Sequence, residues 1–295
     1  MDQRPLWRRI VDFPLVAMLI GIVVIVVGLT IAGVLAKLLA PSAPISFGEA
    51  TSFYLIALPI LVLLYVLIIA RLGEHPRNDF RDAKAIQRLA VGLGAGVALF
   101  SAVVGVAAAL GLYRIVGPGD TSGLVAALVG SALFPAVSEE MLFRGVLFRW
   151  LEDFGGSWVA LLLTSAFFGA AHLMNPNASP VAAVGIAFEA GVMLGAAYML
   201  TRSLWLPMGI HAAWNFTQGE IYDIPVSGMP VHGVVDAKLC CNPLLTGGGF
   251  GLEASVIAMV IATAFGMWLL WLAIRKGELV RPWWVRRQQA SEDER

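Results

Sequence analysis

Long apolar runs separated by short polar ones dominate the chain, and the runs are of membrane-spanning length. A helix crossing a bilayer needs about 20 predominantly apolar residues. Eight stretches reach or approach that requirement: residues 14–39, 53–72, 89–116, 123–150, 158–174, 181–200, 204–218 and 252–274. The seventh is short and contains Pro207, the pattern of a broken helix. The first is too long for the 7–15-residue apolar region of a signal peptide, so it predicts a retained helix. The pattern predicts an all-α polytopic membrane protein of about eight transmembrane helices. It divides into a short segment 1–13, a single transmembrane domain 14–275 and a basic tail 276–295.

Composition agrees. The 295 residues are 59% hydrophobic and 14% charged, against roughly a quarter charged in a soluble domain. Net charge is zero, so nothing draws the chain to nucleic acid. The expected partner is the lipid bilayer. The distribution of charge carries more. Arg4, Arg8 and Arg9 precede the first run. Arg71, Arg77, Arg81, Lys84 and Arg88 surround the second connection, and Arg149 and Arg202 fall in later connections on the same side. Arg275, Lys276, Arg281, Arg286, Arg287 and Arg295 close the chain, whereas the opposite side holds only Lys37, Arg114 and Lys238. The positive-inside rule then puts both termini in the cytoplasm, and an even number of spans agrees. Trp283 and Trp284 beside Arg281 read as an interfacial anchor, as do Trp7 and Trp150. Cys240 and Cys241 are adjacent; neighbouring cysteines rarely pair, so they read as structural thiols. The connection 220–251 is rich in Gly and Pro and has no clear period.

One run is interrupted by charge. Ser138-Glu139-Glu140-Met141-Leu142-Phe143-Arg144-Gly145 lies inside residues 123–150, where each charge costs roughly 2.5–3.5 kcal/mol on insertion scales. Such groups persist when they face the protein interior and find partners. Glu140 and Arg144 share a helix face and can pair. Glu139 points about 100° away and is left to act. Pro135, four residues before Glu139, removes a backbone hydrogen bond there.

Three further polar groups stand in apolar runs. His172 closes Phe168-Gly169-Ala170-Ala171-His172, whose ring and imidazole share a face and whose small residues admit a neighbouring helix. His211 opens His211-Ala212-Ala213-Trp214-Asn215, again with two polar groups on one face. Each pair also reads as interhelical hydrogen-bonding glue worth about 1 kcal/mol. Glu189 either lines the same cavity or pairs with Arg202 or a histidine. At 1.5 Å per residue, Glu139 lies about 16 Å and His172 about 21 Å from the basic side, but His211 only about 10 Å. Tilt, or an entry loop sunk below the interface, would close the gap.

A glutamate, two histidines and an amide on converging helices suggest hydrolysis. A carboxylate in a partly dry pocket is a competent base for water, and Asn215 with a histidine suits an oxyanion. Alternatively Glu139, His172 and His211 form a two-His, one-carboxylate zinc site. No His-Glu-x-x-His motif supports the zinc case, and no Gly-x-Ser-x-Gly elbow supports a nucleophile. A proton-coupled transporter uses intramembrane Glu and His as well, but no repeat of whole spans supports it.

Glu139-Glu140-x-x-x-Arg144, Phe168-x-x-x-His172 and His211-x-x-x-Asn215, in that order, resemble the CPBP family of CaaX proteases and bacteriocin-processing (Abi) proteases, which includes the type II CaaX prenyl endopeptidase. The motifs cover about a third of the chain within a core of about 123–218. The resemblance implies an eight-helix intramembrane endopeptidase in a bacterial plasma membrane, opening to the cytoplasm. It implies that Glu139 activates water, His172 positions it, and His211 and Asn215 form the oxyanion hole. Glu140 and Arg144 become the supporting pair, with Phe168 and Glu189 beside them. The family is commonly called metalloprotease; the mechanism expected here needs no cofactor, with zinc as the alternative. A catalytically quiet scaffold or immunity-type member is the other outcome the resemblance allows.

Overall fold

The computed structural model describes residues 5–39 and 47–293. A short helix, Leu6–Val11, leads into α1 (Pro14–Leu39). Then come α2 (Phe47–Leu67), α3 (Ala85–Ala109), α4 (Leu124–Gly155), α5 (Ser157–Met174) and α6 (Pro180–Thr201). They are followed by α7 (Trp205–Phe216), α8 (Val256–Arg275) and α9 (Trp283–Asp293). Among the described residues, seven helices are long and apolar enough to cross a membrane, and α7 is not one of them. The chain is an all-α integral membrane protein.

The expected run 204–218 takes a different form from the others. It is a 12-residue helix, continued by a π turn, Thr217–Ile221. Every residue from Leu206 to Asn215 is buried. Glycines on α3 bring it there. A Cβ on Gly92 would come within 2.5 Å of the Leu206 carbonyl oxygen, and one on Gly96 within 2.5 Å of the Ile210 carbonyl oxygen. Gly92-x-x-x-Gly96 thus lets the backbones of α3 and α7 touch, the small-residue packing that membrane helices use.

The turn ahead of α7 is sunk into the protein. Ser203 and Leu204 are buried. The Leu204 amide donates to the Asp79 carbonyl, and the Trp205 indole donates to the Phe80 carbonyl. This closes the depth gap between His211 and Glu139 that a ruler along the sequence leaves open.

The run 89–116 is shorter than expected. Helix α3 begins at Ala85 and stops at Ala109, Gly111 turns the chain with a φ of 74°, and Tyr113–Pro118 forms a strand, β1. It pairs antiparallel with β2 (Val235–Leu239), which lies in the long connection 220–251. Tyr, Ile and Val suit a strand and a buried helix equally, so apolarity alone extended the helix.

Three other expectations change. Arg149 is not in a connection: it is a buried residue of α4, donating to the carbonyls of Leu72, His75 and Arg77. With Arg77 it ion-pairs with buried Asp79, to which the Tyr65 and Tyr198 hydroxyls also donate. Trp150 is fully buried rather than interfacial, its ring filling the space beside Gly21. Cys240 and Cys241 are joined as a vicinal disulfide rather than standing as thiols.

The ends of the helices sort by charge. At one end Arg149 holds 72–77, Arg202 pairs with Glu152 and Glu278, and Arg286 donates to the Asp153 carbonyl. At the other, β1 pairs with β2, Tyr113 donates to the Tyr222 carbonyl, and Gly228 donates to the Phe250 carbonyl. Cysteine-accessibility labelling should therefore report Lys84 and Gln288 on one membrane face, the cytoplasmic one by the positive-inside rule, and Gly228 on the other. Labelling of all three from one face would overturn this arrangement.

Candidate active site

Helix α4 is not a regular α-helix around its charges. A π turn, Leu128–Leu133, precedes the α-helical Phe134–Glu140, and a second, Met141–Phe148, follows it. Pro135 falls just after the first π turn, where the widened ladder accommodates its missing N–H. Helix α6 has its own π turn, Ala187–Val192, which carries Glu189. Inserted turns of this kind re-aim side chains and recur at functional sites.

The side chains picked out along the sequence converge. His211 Nδ1 lies 2.9 Å from Glu140 Oε1, so Glu140 accepts from it and His211 presents Nε2 to the cavity. Glu139 Oε2 lies 4.0 Å from that Nε2. Glu139 is about a third exposed, while its Oε2 atom is buried and has no hydrogen-bond partner among the described residues. Glu140 Oε1 also accepts from Arg144 Nη1 at 2.9 Å, as the i,i+4 spacing requires. Arg144 reaches across to α6, where Nη2 donates to the carbonyls of Ala190 at 3.1 Å and Gly191 at 3.3 Å. Its guanidinium carbon stands 4.8 Å over the ring of Phe168.

Phe168 is the packing centre of the site. Its ring centroid lies 4.8 Å from that of His172 and 6.2 Å from that of His211. The Phe168 carbonyl is 2.7 Å from His172 Nδ1, which therefore donates to it and leaves Nε2 as an acceptor. His172 begins the 3-10 turn that ends α5. Asn215, one turn beyond His211 on α7, is buried, and its Nδ2 donates to the Ser131 carbonyl in the first π turn of α4 at 3.0 Å.

A small cavity of about 20 Å³, room for one water, joins His172, His211 and Asn215 to Glu189. Arg202 pairs with Glu152 and Glu278 rather than with Glu189. Ser227 and Glu253 complete the wall. Neither was picked out along the sequence: Ser227 comes from the long connection that shows no period, and Glu253 opens the run 252–274. Glu253 did leave a signal: an isolated carboxylate at the head of an apolar run.

Among the described residues, no three His, Cys, Asp or Glu side chains converge as a metal-ligand set. His172 Nδ1 is turned to a carbonyl, and His211 Nδ1 to Glu140. These contacts orient the two rings and leave both Nε2 atoms free, and no step is assigned to a metal.

No curated protein and no solved structure matches the chain. A family model does: residues 121–217 match that of type II CAAX prenyl endopeptidase Rce1-like proteins. The matched segment holds Glu139, Glu140, Arg144, His172, Glu189, His211 and Asn215, so the resemblance carried by the motifs and the family match fall on the same helices. Over α4 to α7 the chain is similar to the Rce1-like type II CAAX prenyl endopeptidases, consistent with the CPBP/CaaX protease family.

Proposed function

We propose that this chain is an intramembrane endopeptidase that hydrolyses a peptide bond of a membrane-associated protein or peptide. The observation that carries the reading is the facing of Glu139 and His211 across 4.0 Å in the part of the chain that matches a protease family. Glu139 takes a proton from water as the oxygen attacks the carbonyl carbon. His172, its Nδ1–H spent on the Phe168 carbonyl, holds that water with the Nε2 lone pair. The oxyanion is received by the second N–H of the Asn215 amide and by a proton on His211 Nε2. The Glu140 and Glu139 carboxylates on either side of His211 favour the doubly protonated ring this requires. Glu140 and Arg144 hold the imidazole in place. The site opens to the cytoplasm in this reading; the basic end of the molecule supports that orientation, and Ser227 and Glu253 wall the cavity on the side of the long connection.

The test is cleavage of a library of membrane-anchored peptides by purified protein in bilayers. Folded protein that cleaves none of them overturns the reading. The same assay separates a metal-free oxyanion hole from a zinc site. Asn215→Ala should lose about 10²–10³ in turnover, because a transition-state donor is removed. Chelation should leave wild-type turnover unchanged. A stoichiometric bound metal, chelator-sensitive turnover and a nearly intact Asn215→Ala enzyme would instead make the metal the polarising group.

A further inference from the structure

The catalytic cavity has a second pair of carboxyls that hydrolysis by Glu139 alone does not use. Glu189 is 1% exposed, and its Oε2 is buried with no hydrogen-bond partner among the described residues. Glu253, 3% exposed, stands just before α8, where the Ser227 amide donates to it. Both line the cavity that His172, His211 and Asn215 line. Among the described residues, no cation is committed to either. Arg144 reaches the same turn of α6, yet it is spent on Glu140 and on the carbonyls of Ala190 and Gly191, which follow Glu189. Of the other elements, α4 brings Glu139 and Glu140, α5 brings His172, α7 brings His211 and, in the π turn that continues it, the neutral Gln218, and the long connection brings the neutral Ser227. Two carboxyls in one dry space without a dedicated counter-ion do not both ionise; they keep a proton between them.

We propose that Glu189 and Glu253 are the proton reserve of the active site, holding one shared proton against the cavity and delivering it to the leaving amine. The proposal rests on the endopeptidase reading. Attack of water forms the C–O bond, with its proton passing to Glu139. Collapse of the tetrahedral species breaks the C–N bond, and the nitrogen takes the proton held by Glu189 and Glu253 as it leaves with the electron pair. After product release the proton on Glu139 returns to the pair through His211 and cavity water. One water is added across one bond, and nothing is oxidised or reduced. Burial pushes the Glu253 carboxyl up, to about 7, against the hydrogen bonds from Ser227 and Gln218, so a proton is available there near neutral pH. The cavity holds about one water, enough to bridge the pair to the reacting atoms and too little for a substrate side chain.

An acid of this kind matters for an amine leaving group and hardly at all for a phenolate. The experiment compares one membrane-anchored peptide carrying a scissile amide with its analogue carrying an aryl ester at the same bond. Glu189→Gln and Glu253→Gln should each lose about 10²-fold in turnover of the amide and less than about fivefold on the ester. A merely structural role would lower both in proportion. Glu139→Gln should lose both substrates; if it hydrolyses both at the wild-type rate, the endopeptidase reading fails, separately from this proposal. Equal losses on amide and ester, or no loss on the amide, overturn the proton reserve. Wild-type protein gives an independent check that needs no variant to fold. With rising pH the shared proton is lost, so kcat/KM for the amide should fall on an alkaline limb that the ester lacks. Superimposable profiles overturn the proposal.

Discussion

Glu139→Gln should reduce peptide cleavage by about 10²–10⁴-fold, the contribution of a positioned general base, while leaving the fold intact. The change is isosteric. It falls on a side chain about a third exposed, whose buried Oε2 makes no hydrogen bond, so little native structure depends on it. Glu140→Gln next door should behave differently. Its carboxylate joins Arg144 to His211, so losing the charge should lower the melting temperature and turnover together. The measurement is single-turnover cleavage beside a thermal melt in the same detergent. Glu139→Gln within tenfold of wild type, or destabilised as much as Glu140→Gln, would remove Glu139 from the role of base.

The parts of this architecture legible in the sequence are those fixed by local spacing. Run lengths of apolar residues place α1, α4, α5, α6 and α8 within a few residues of where they lie. The i,i+4 rule predicts the contact between Glu140 and Arg144, and the same spacing sets Phe168 beside His172. Features that depend on a distant partner were hidden. Residues 113–116 form a strand only because 235–239 come to pair with them. Arg149 looked like a connecting residue because its acceptors are backbone carbonyls 72–77 residues away.

The site itself was half legible. The four side chains proposed to act stood out as polar groups in apolar runs, since a polar group in hydrocarbon needs a reason. How they reach one depth did not stand out. That depends on the sunken turn before α7, held by the Asp79 carbonyl, and on the π turns of α4 and α6, which no hydrophobic period announces. The Gly92-x-x-x-Gly96 pair was visible in the sequence and does set α7 against α3. Glu253 was visible too, but nothing local ties it to a cavity built by α5, α6 and α7.

Arg144→Ala should destabilise the protein by about 3–5 kcal/mol, the cost of removing one partner from a buried ion pair. The guanidinium is 1% exposed and does three things at once. It neutralises Glu140, it satisfies two carbonyls exposed by the π turn of α6, and it stacks over Phe168. Truncation leaves Glu140 with only His211 and leaves both carbonyls without that donor, in a setting where unsatisfied polar groups find no water. Arg144→Lys restores the charge but not the planar fork that spans Glu140 and α6, so it should recover only part of the stability. The double variant Glu140→Gln/Arg144→Gln should be less destabilised than Arg144→Ala, because no unpaired carboxylate is left behind. Thermal melts of wild type, Glu140→Gln, Arg144→Gln and the double variant in one detergent give the coupling, with Arg144→Ala and Arg144→Lys melted beside them. Full stability of Arg144→Ala, or a double variant worse than the sum of its single changes, would mean that the pair is incidental to the fold and that His211 is held by something other than Glu140.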